Sequence, residues 1–104
     1  MSREVIFAPE ALGDLRKLYT DIALDAGAGR AQGYTDRIIG HCLSLDLFPE
    51  RGTRRDDLRP GLRTTTYRRR VIIAFHITET TVVIDRVLYG GRDLDAVFHE
   101  DDDD

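Results

Sequence analysis

The period of the apolar positions changes twice along the chain. Val5-Ile6-Phe7 is a short run of β-prone residues and predicts a first strand. Pro9 suits the first turn of a helix, where its missing N–H leaves nothing unpaired, and Glu10 faces the positive end of the helix dipole. From there Leu12, Leu15, Tyr19, Ile22 and Ala26 recur at helical spacing, with Leu18 beside them and Arg16, Lys17, Asp21 and Asp25 on the other faces. Gly27-Ala28-Gly29 reads as the turn that ends this helix. A second helical stripe follows in Ala31, Tyr34, Ile38, Cys42 and Leu45, flanked by Ile39, Leu43 and Leu47, and Pro49 and Gly52 stop it. The short linker predicts an antiparallel helical hairpin. Gly33 and Gly40 lie seven residues apart inside the second helix, and their spacing predicts a close helix–helix contact.

The stretch from Arg51 to Arg59 is polar and reads as a loop, with a turn at Pro60-Gly61. Beyond it Thr64-Thr65-Thr66-Tyr67 is β-prone, and Val71-Ile72-Ile73-Ala74-Phe75 is the near-continuous apolar run of a central strand. Thr78-Glu79-Thr80 makes a tight connection to a strand from Val82 to about Leu88, and Gly90-Gly91 breaks it. Leu94, Val97 and Phe98 predict a short terminal turn of helix, or a loop that packs on the core.

The predicted order is β-α-α-β-β-β, an α+β fold with a helical hairpin packed on a small antiparallel sheet. The last three strands, joined by short connections, should form a meander, with the other sheet face only partly covered. A length of 104 residues holds one core, so residues 1–98 are expected to be a single domain. Residues 99–104 read as a disordered acidic tail, because adjacent like charges repel and offer nothing to bury.

Charge sharpens this picture. The formal net charge is −4, and Asp101 to Asp104 account for all of it. The single cysteine, Cys42, makes no intrachain disulfide and no multi-cysteine zinc site, and its place on the apolar stripe predicts a buried thiol. There is no apolar run of membrane-spanning length and no signal-peptide core in the first residues, so the expectation is a cytoplasmic protein away from membranes. The three histidines, His41, His76 and His99, have no metal-ligand spacing, and no phosphate loop, metalloprotease motif or nucleophile elbow is present. Neither a metal nor a cofactor is expected.

The informative segment is basic. Eight arginines (51, 54, 55, 59, 63, 68, 69 and 70) stand against Asp56 and Asp57, a balance of +6. Arg68, Arg69 and Arg70 directly precede the central strand, and alternation along a strand would turn at least one of them away from the helices. Arg86 and Arg92 add charge near the end of the sheet. Together these predict a cationic surface for an acidic partner or a nucleic acid.

Three blocks carry a resemblance: Arg55-Asp56-Asp57-Leu58-Arg59-Pro60-Gly61-Leu62-Arg63, Arg68-Arg69-Arg70-Val71-Ile72-Ile73-Ala74-Phe75, and Arg86-Val87-Leu88-Tyr89-Gly90-Gly91-Arg92-Asp93-Leu94. In this order, and with Phe7-Ala8-Pro9-Glu10-Ala11 before them, they resemble the ParE branch of the RelE/ParE toxins of bacterial type II toxin–antitoxin systems. The resemblance implies a cognate, ParD-like antitoxin that wraps around the toxin in a hetero-oligomer. It also implies a choice of targets, because ParE members characteristically poison DNA gyrase whereas RelE members cut messenger RNA on the ribosome.

RNA cleavage needs a base, an acid and cations around the scissile phosphate. Arg70, Arg86 and Tyr89 stand in places comparable to residues of the RelE-type enzymes. The only lysine, Lys17, lies on the first helix, and Gly90-Gly91-Arg92-Asp93 stands where a terminal catalytic residue is expected. The constellation is incomplete. The expectation is therefore a non-enzymatic inhibitor of gyrase, with a ribosome-dependent endoribonuclease as the alternative and no sequence-specific DNA binding by this chain alone. Arg63, Arg68, Arg69, Arg70, Arg86 and Arg92 are the candidate partner-binding residues.

Overall fold

The computed structural model describes residues 3–90 and 94–102. Strand β1 (Glu4–Phe7) leads into helices α1 (Pro9–Ala26) and α2 (Ala28–Leu43), followed by a 3₁₀ turn (Ser44–Asp46). Four strands come next: β2 (Thr53–Arg54), β3 (Arg63–Tyr67), β4 (Val71–Ile77) and β5 (Thr81–Tyr89). Helix α3 (Leu94–Asp102) closes the fold.

The helical hairpin turns on one residue rather than three. Gly27 has φ 95° and ψ 157°, a conformation essentially confined to glycine. Its N–H donates to the Ala23 carbonyl while its own carbonyl accepts from Ala31, so one glycine ends α1 and starts α2. Helix α2 stops at Leu43, and the tighter 3₁₀ turn carries Leu45 into the core.

The strands form one sheet in the order β1-β5-β4-β3-β2. The meander β3-β4-β5 is antiparallel as the sequence predicts. β1 instead pairs in parallel with β5, Phe7 opposite Ile84, because the helical hairpin carries the chain across one face before it returns. The segment read as a loop from Arg51 to Arg59 contains the two-residue strand β2. Gly52 makes that pairing possible: a Cβ there would lie 2.1 Å from the Thr64 carbonyl oxygen.

Ala11, Leu15 and Leu18 of α1 and Ile38 and Cys42 of α2 pack on Val71, Ile73, Phe75, Val82, Ile84 and Val87. Phe75 is fully buried; truncating such a side chain to Ala typically costs about 3–5 kcal/mol. Burial pushes the Cys42 thiol up to about 12, which keeps it protonated and inert.

Gly33 and Gly40 do not touch α1. A Cβ on Gly40 would meet nothing within 4 Å, and one on Gly33 would meet only the Arg37 guanidinium of its own helix. The spacing was right for one face, but that face is not the helix–helix seam.

The second sheet face is more covered than expected. Leu94, Val97 and Phe98 of α3 pack on Leu58, Leu62, Ala74 and Leu88. Arg55 ties the loop to this helix through Asp95, 3.2 Å away, and Arg59 lies over the Phe98 ring at 4.8 Å. The helix continues through Asp102, four residues into the segment predicted as a disordered tail. Once apolar anchors fix its first turn, each added residue needs only propagation, which is far less costly than nucleation.

Candidate functional site

The β3–β4 connection sets up the site. Arg68 and Arg69 have φ 52° and 61°, and the Arg70 N–H donates to the Tyr67 carbonyl at 3.2 Å. This is a two-residue hairpin turn with both central residues left-handed, a geometry that normally selects Asn-Gly. Two arginines occupy it here. Strand alternation therefore does not govern Arg68 to Arg70, which belong to the reversal itself. Arg70 also accepts the Gly90 N–H on its carbonyl, tying the turn to the end of β5.

Against this end of the sheet stands an aromatic group. Tyr34 of α2 meets Tyr67 and Tyr89 edge-on, with ring centroids 6.2 and 6.1 Å apart. His41 lies 5.4 Å from the Tyr67 ring, and the Arg68 guanidinium lies over that ring at 5.4 Å. Burial, then the neighbouring tyrosines, raises the Tyr34 phenol above its ordinary value, while Arg70 and Arg68 oppose the shift.

A cavity of about 630 Å³ opens beside these rings, lined by Ile22, Ala26, Gly29, Arg30, Gly33, Tyr34, Arg37, Arg70 and Tyr89. Its lining includes the small residues Ala26, Gly29 and Gly33 and three arginines, and among the described residues no carboxylate lines it.

The remaining predicted residues are elsewhere. Arg63, at the far end of β3, donates to the Glu50 carbonyl at 3.0 Å. Arg86 is not part of the hairpin-tip cluster. Its Nε and Nη2 donate to the two carboxylate oxygens of Asp14 at 2.8 and 2.9 Å, and the same carboxylate accepts the Val87 N–H at 2.9 Å. The cause is the short β1, whose partnership with β5 ends at Ile84. The β5 edge beyond it would be left without an acceptor, and Asp14 of α1 supplies one. Arg92 lies outside the described residues.

Of the three residues in the endoribonuclease alternative, Arg70 and Tyr89 thus share a cavity, and Arg86 is held on the α1 side. A second polar group sits near Arg86. Asp85 is the unpaired residue of a β-bulge, since Phe75 faces Ile84 and Ala74 faces Arg86. His76 Nδ1 lies 2.7 Å from Asp85 Oδ2, and burial raises the Asp85 carboxyl above its ordinary value against the pull of His76. A smaller cavity of about 290 Å³ there is lined by Ala8, Glu10, Arg59, Asp85, Arg86 and Phe98.

Sequence reasoning missed Arg30, Arg37, Tyr34 and Tyr67 as site residues. The signal was in α2: Arg30 and Arg37, seven residues apart, share a face with Gly33 between them. Among the described residues, no group of three or more His, Cys, Asp or Glu is placed to hold a metal, and no helix is long and apolar enough to cross a membrane.

Residues 5–94 match the family model described as ParE toxin of type II toxin-antitoxin system, parDE. Toxin ParE3 of Caulobacter vibrioides is 34% identical over 84 residues, covering 81% of this chain and 83% of that protein. A solved structure described as the chromosomal ParDE TA system from P. aeruginosa superposes with a TM-score of 0.75 at 21% identity, covering 86% of this chain and 97% of that one. The structural likeness establishes the α+β fold.

Proposed function

The chain belongs to the ParE toxin family of type II toxin–antitoxin systems, and from that premise we propose that it is a non-enzymatic inhibitor of DNA gyrase, held silent in the cytoplasm by a ParD-like antitoxin in a hetero-oligomer. The observation that carries the choice of target is the separation of Arg86 from Arg70 and Tyr89. A phosphodiester cleaved by 2′-OH attack needs its acid, base and cations within hydrogen-bond reach of one phosphate. Here Arg86 is engaged by Asp14, while Arg70 and Tyr89 line a cavity with no carboxylate or histidine in its wall. That cavity binds; Tyr89 also borders a hollow with Asp14, Lys17 and Asp21, where Asp14 is engaged by Arg86 and the Val87 N–H.

Binding of the antitoxin would draw on two further features. Arg68 and Arg69 form an exposed hairpin tip that would meet acidic residues of a partner. Leu43, the last residue of α2, and Leu47 and Phe48 beyond it are exposed, and the latter two line a hollow with Arg3 and Arg51. An antitoxin segment that folds on contact would cover these apolar side chains and offset its ordering entropy by burying them.

The test is expression of the chain without antitoxin, alongside a supercoiling assay with purified gyrase. Filamentation, a DNA-damage response and inhibited supercoiling with intact messages are the expected results. Rapid arrest of translation with messages cut in a ribosome-dependent manner would replace the gyrase reading with the endoribonuclease alternative.

A further inference from the structure

We propose that α3 is a strap sprung by its own charge. Apolar side chains in its first half seat it on the second sheet face, the acidic run at its C-terminal end works to lift it, and ionic strength sets how often it opens. The hold comes from Leu94, Val97 and Phe98, which recur at i, i+3 and i+4 and are buried against Leu58, Leu62, Ala74 and Leu88. Beyond Phe98 the sequence has no further apolar residue. It continues His99-Glu100-Asp101-Asp102-Asp103-Asp104, and the helix runs through Asp102.

Glu100, Asp101 and Asp102 thus stand at the negative end of the helix dipole, where cations are favoured and anions are not. Aspartate is a weak helix former, and the acidic run repels itself. The charged groups packed around this end do not cancel the effect. Arg59 lies over the Phe98 ring and pulls toward the sheet with a single charge. Arg86 is held by Asp14, and the hollow that Arg59, Arg86 and Phe98 share also presents Glu10 and Asp85. His76 is bonded to Asp85. At the first turn of α3, Arg55 divides its guanidinium between Asp95 and Asp57, both more than half exposed, and such a pair adds little.

Release of the strap would leave the main core in place. The side chains under α3 and those under the helical hairpin form two separate clusters on opposite faces of the sheet, so α3 can open locally while the rest of the fold stays closed. The family match ends at Leu94, the first residue of α3, which places this device in the chain's own extension. The proposal goes beyond the gyrase reading and does not rest on it.

Thiol labelling of the full chain reads the opening, with the neutral reagent iodoacetamide at about pH 8, where histidine is uncharged. Ala74→Cys puts a thiol at a fully buried position beneath α3. Cys42 lies in the other cluster, its thiol pushed up to about 12, and reports global unfolding. Raising sodium chloride from about 0.01 to about 1 M shortens the Debye length from about 30 to about 3 Å. It should slow labelling of the new thiol roughly ten- to hundred-fold, from a factor of about two to five for each of three charges at the helix end, while Cys42 stays unlabelled. With Glu100→Gln, Asp101→Asn and Asp102→Asn added, labelling should stay near the high-salt rate at every concentration. Leu88→Cys reports from the same strip and repeats the measurement if the added sulfur at position 74 unseats α3. The proposal is overturned if the new thiol stays unlabelled at about 0.01 M salt, if its rate ignores salt, or if the neutralised variant depends on salt as strongly as the parent. Labelling of Cys42 in step with the new thiol would also overturn it, because the opening would then be global.

Discussion

Arginines on the two sides of β5 meet opposite fates. On the α1 side, Arg86 is clamped by both oxygens of Asp14, and the pair is nearly out of contact with water, with 16% and 7% of the two side chains exposed. At the hairpin end, Arg30, Arg37 and Arg70 face a cavity without a carboxylate. The residue type is the same and the distance along β5 from Arg86 to Tyr89 is three residues. The difference teaches that a count of charge along the chain says little about charge available for binding. Arg86 holds α1 to the sheet, whereas the other three line the cavity and make no ion pair with a described residue.

The largest effect that separates the two sides should come from Asp14→Ala. It removes the carboxylate that accepts from both the Arg86 guanidinium and the Val87 N–H, and breaking a buried pair by removing one partner costs about 3–5 kcal/mol. We expect a loss of at least about 3 kcal/mol in urea unfolding. Arg37→Gln, on the other side, should move the same midpoint by no more than about 0.5 kcal/mol. Equal effects from the two variants would erase the distinction.

That distinction was only half legible in the sequence. The apolar runs from Val71 to Phe75 and from Val82 to Leu88, with tight turns between strands, specify the meander through local period and turn chemistry alone. The partner of Arg86 does not follow from local rules, because Asp14 lies 72 residues away and is brought there by the parallel pairing of β1 with β5. Nor does the shape of the cavity: Gly33 at helical spacing reads equally as a packing contact and as a hollow, and only the position of α1 decides. The turn at Arg68-Arg69 has none of the residues its geometry prefers, so these arginines read as part of a strand instead.

That last conflict gives the second prediction. A left-handed residue other than glycine or asparagine costs about 1–2 kcal/mol. Arg68→Asn with Arg69→Gly supplies the residues this turn prefers and forfeits the Arg68 contact with the Tyr67 ring, worth about 0.5–1 kcal/mol at an exposed site. The net gain should lie between about 1 and 2 kcal/mol in thermal or chemical unfolding. Neutralisation by the antitoxin should weaken in the same protein if the hairpin tip contacts it. A stable variant that is neutralised as well as the parent would move the antitoxin contact off the tip.

His41 belongs to the uncompensated side in a different sense. Its Nε2 is buried and has no hydrogen-bond partner among the described residues. Burial, with Arg51 adding to it, lowers the imidazole below its ordinary value, so the ring is held neutral. His41→Phe keeps the tilted ring contact with Tyr67 and removes the stranded nitrogen, and it should raise stability by about 1 kcal/mol. The pH dependence has a definite sign. The neutral imidazole contributes stability that is full above the unfolded value near 6.5 and is lost as pH falls through the lower folded value. The parent should therefore lose stability as pH falls from about 6.5 toward the lower folded value, and the Phe variant should lose less.

The smallest effect should come from Asp85, on the compensated side, and its sign is opposite. The Asp85 carboxyl is raised by burial and further by Glu10, while the His76 hydrogen bond and charge and the Arg59 charge lower it. Raised pKa means that the folded state holds its proton more tightly than the unfolded chain. The associated stability is then complete below the unfolded value of about 3.9 and is lost as pH rises through the higher folded value. Asn at this position is uncharged at every pH and retains an amide oxygen for the His76 contact. Asp85→Asn should therefore reduce the decline of stability with rising pH above about 4, with little change at the acidic end. Urea midpoints from pH 4 to pH 7 for parent and variant would show it. If the two curves run parallel, the bulge carboxylate is balanced by His76 and Arg59 as fully as Asp14 balances Arg86, and the compensated side of β5 holds no residual strain.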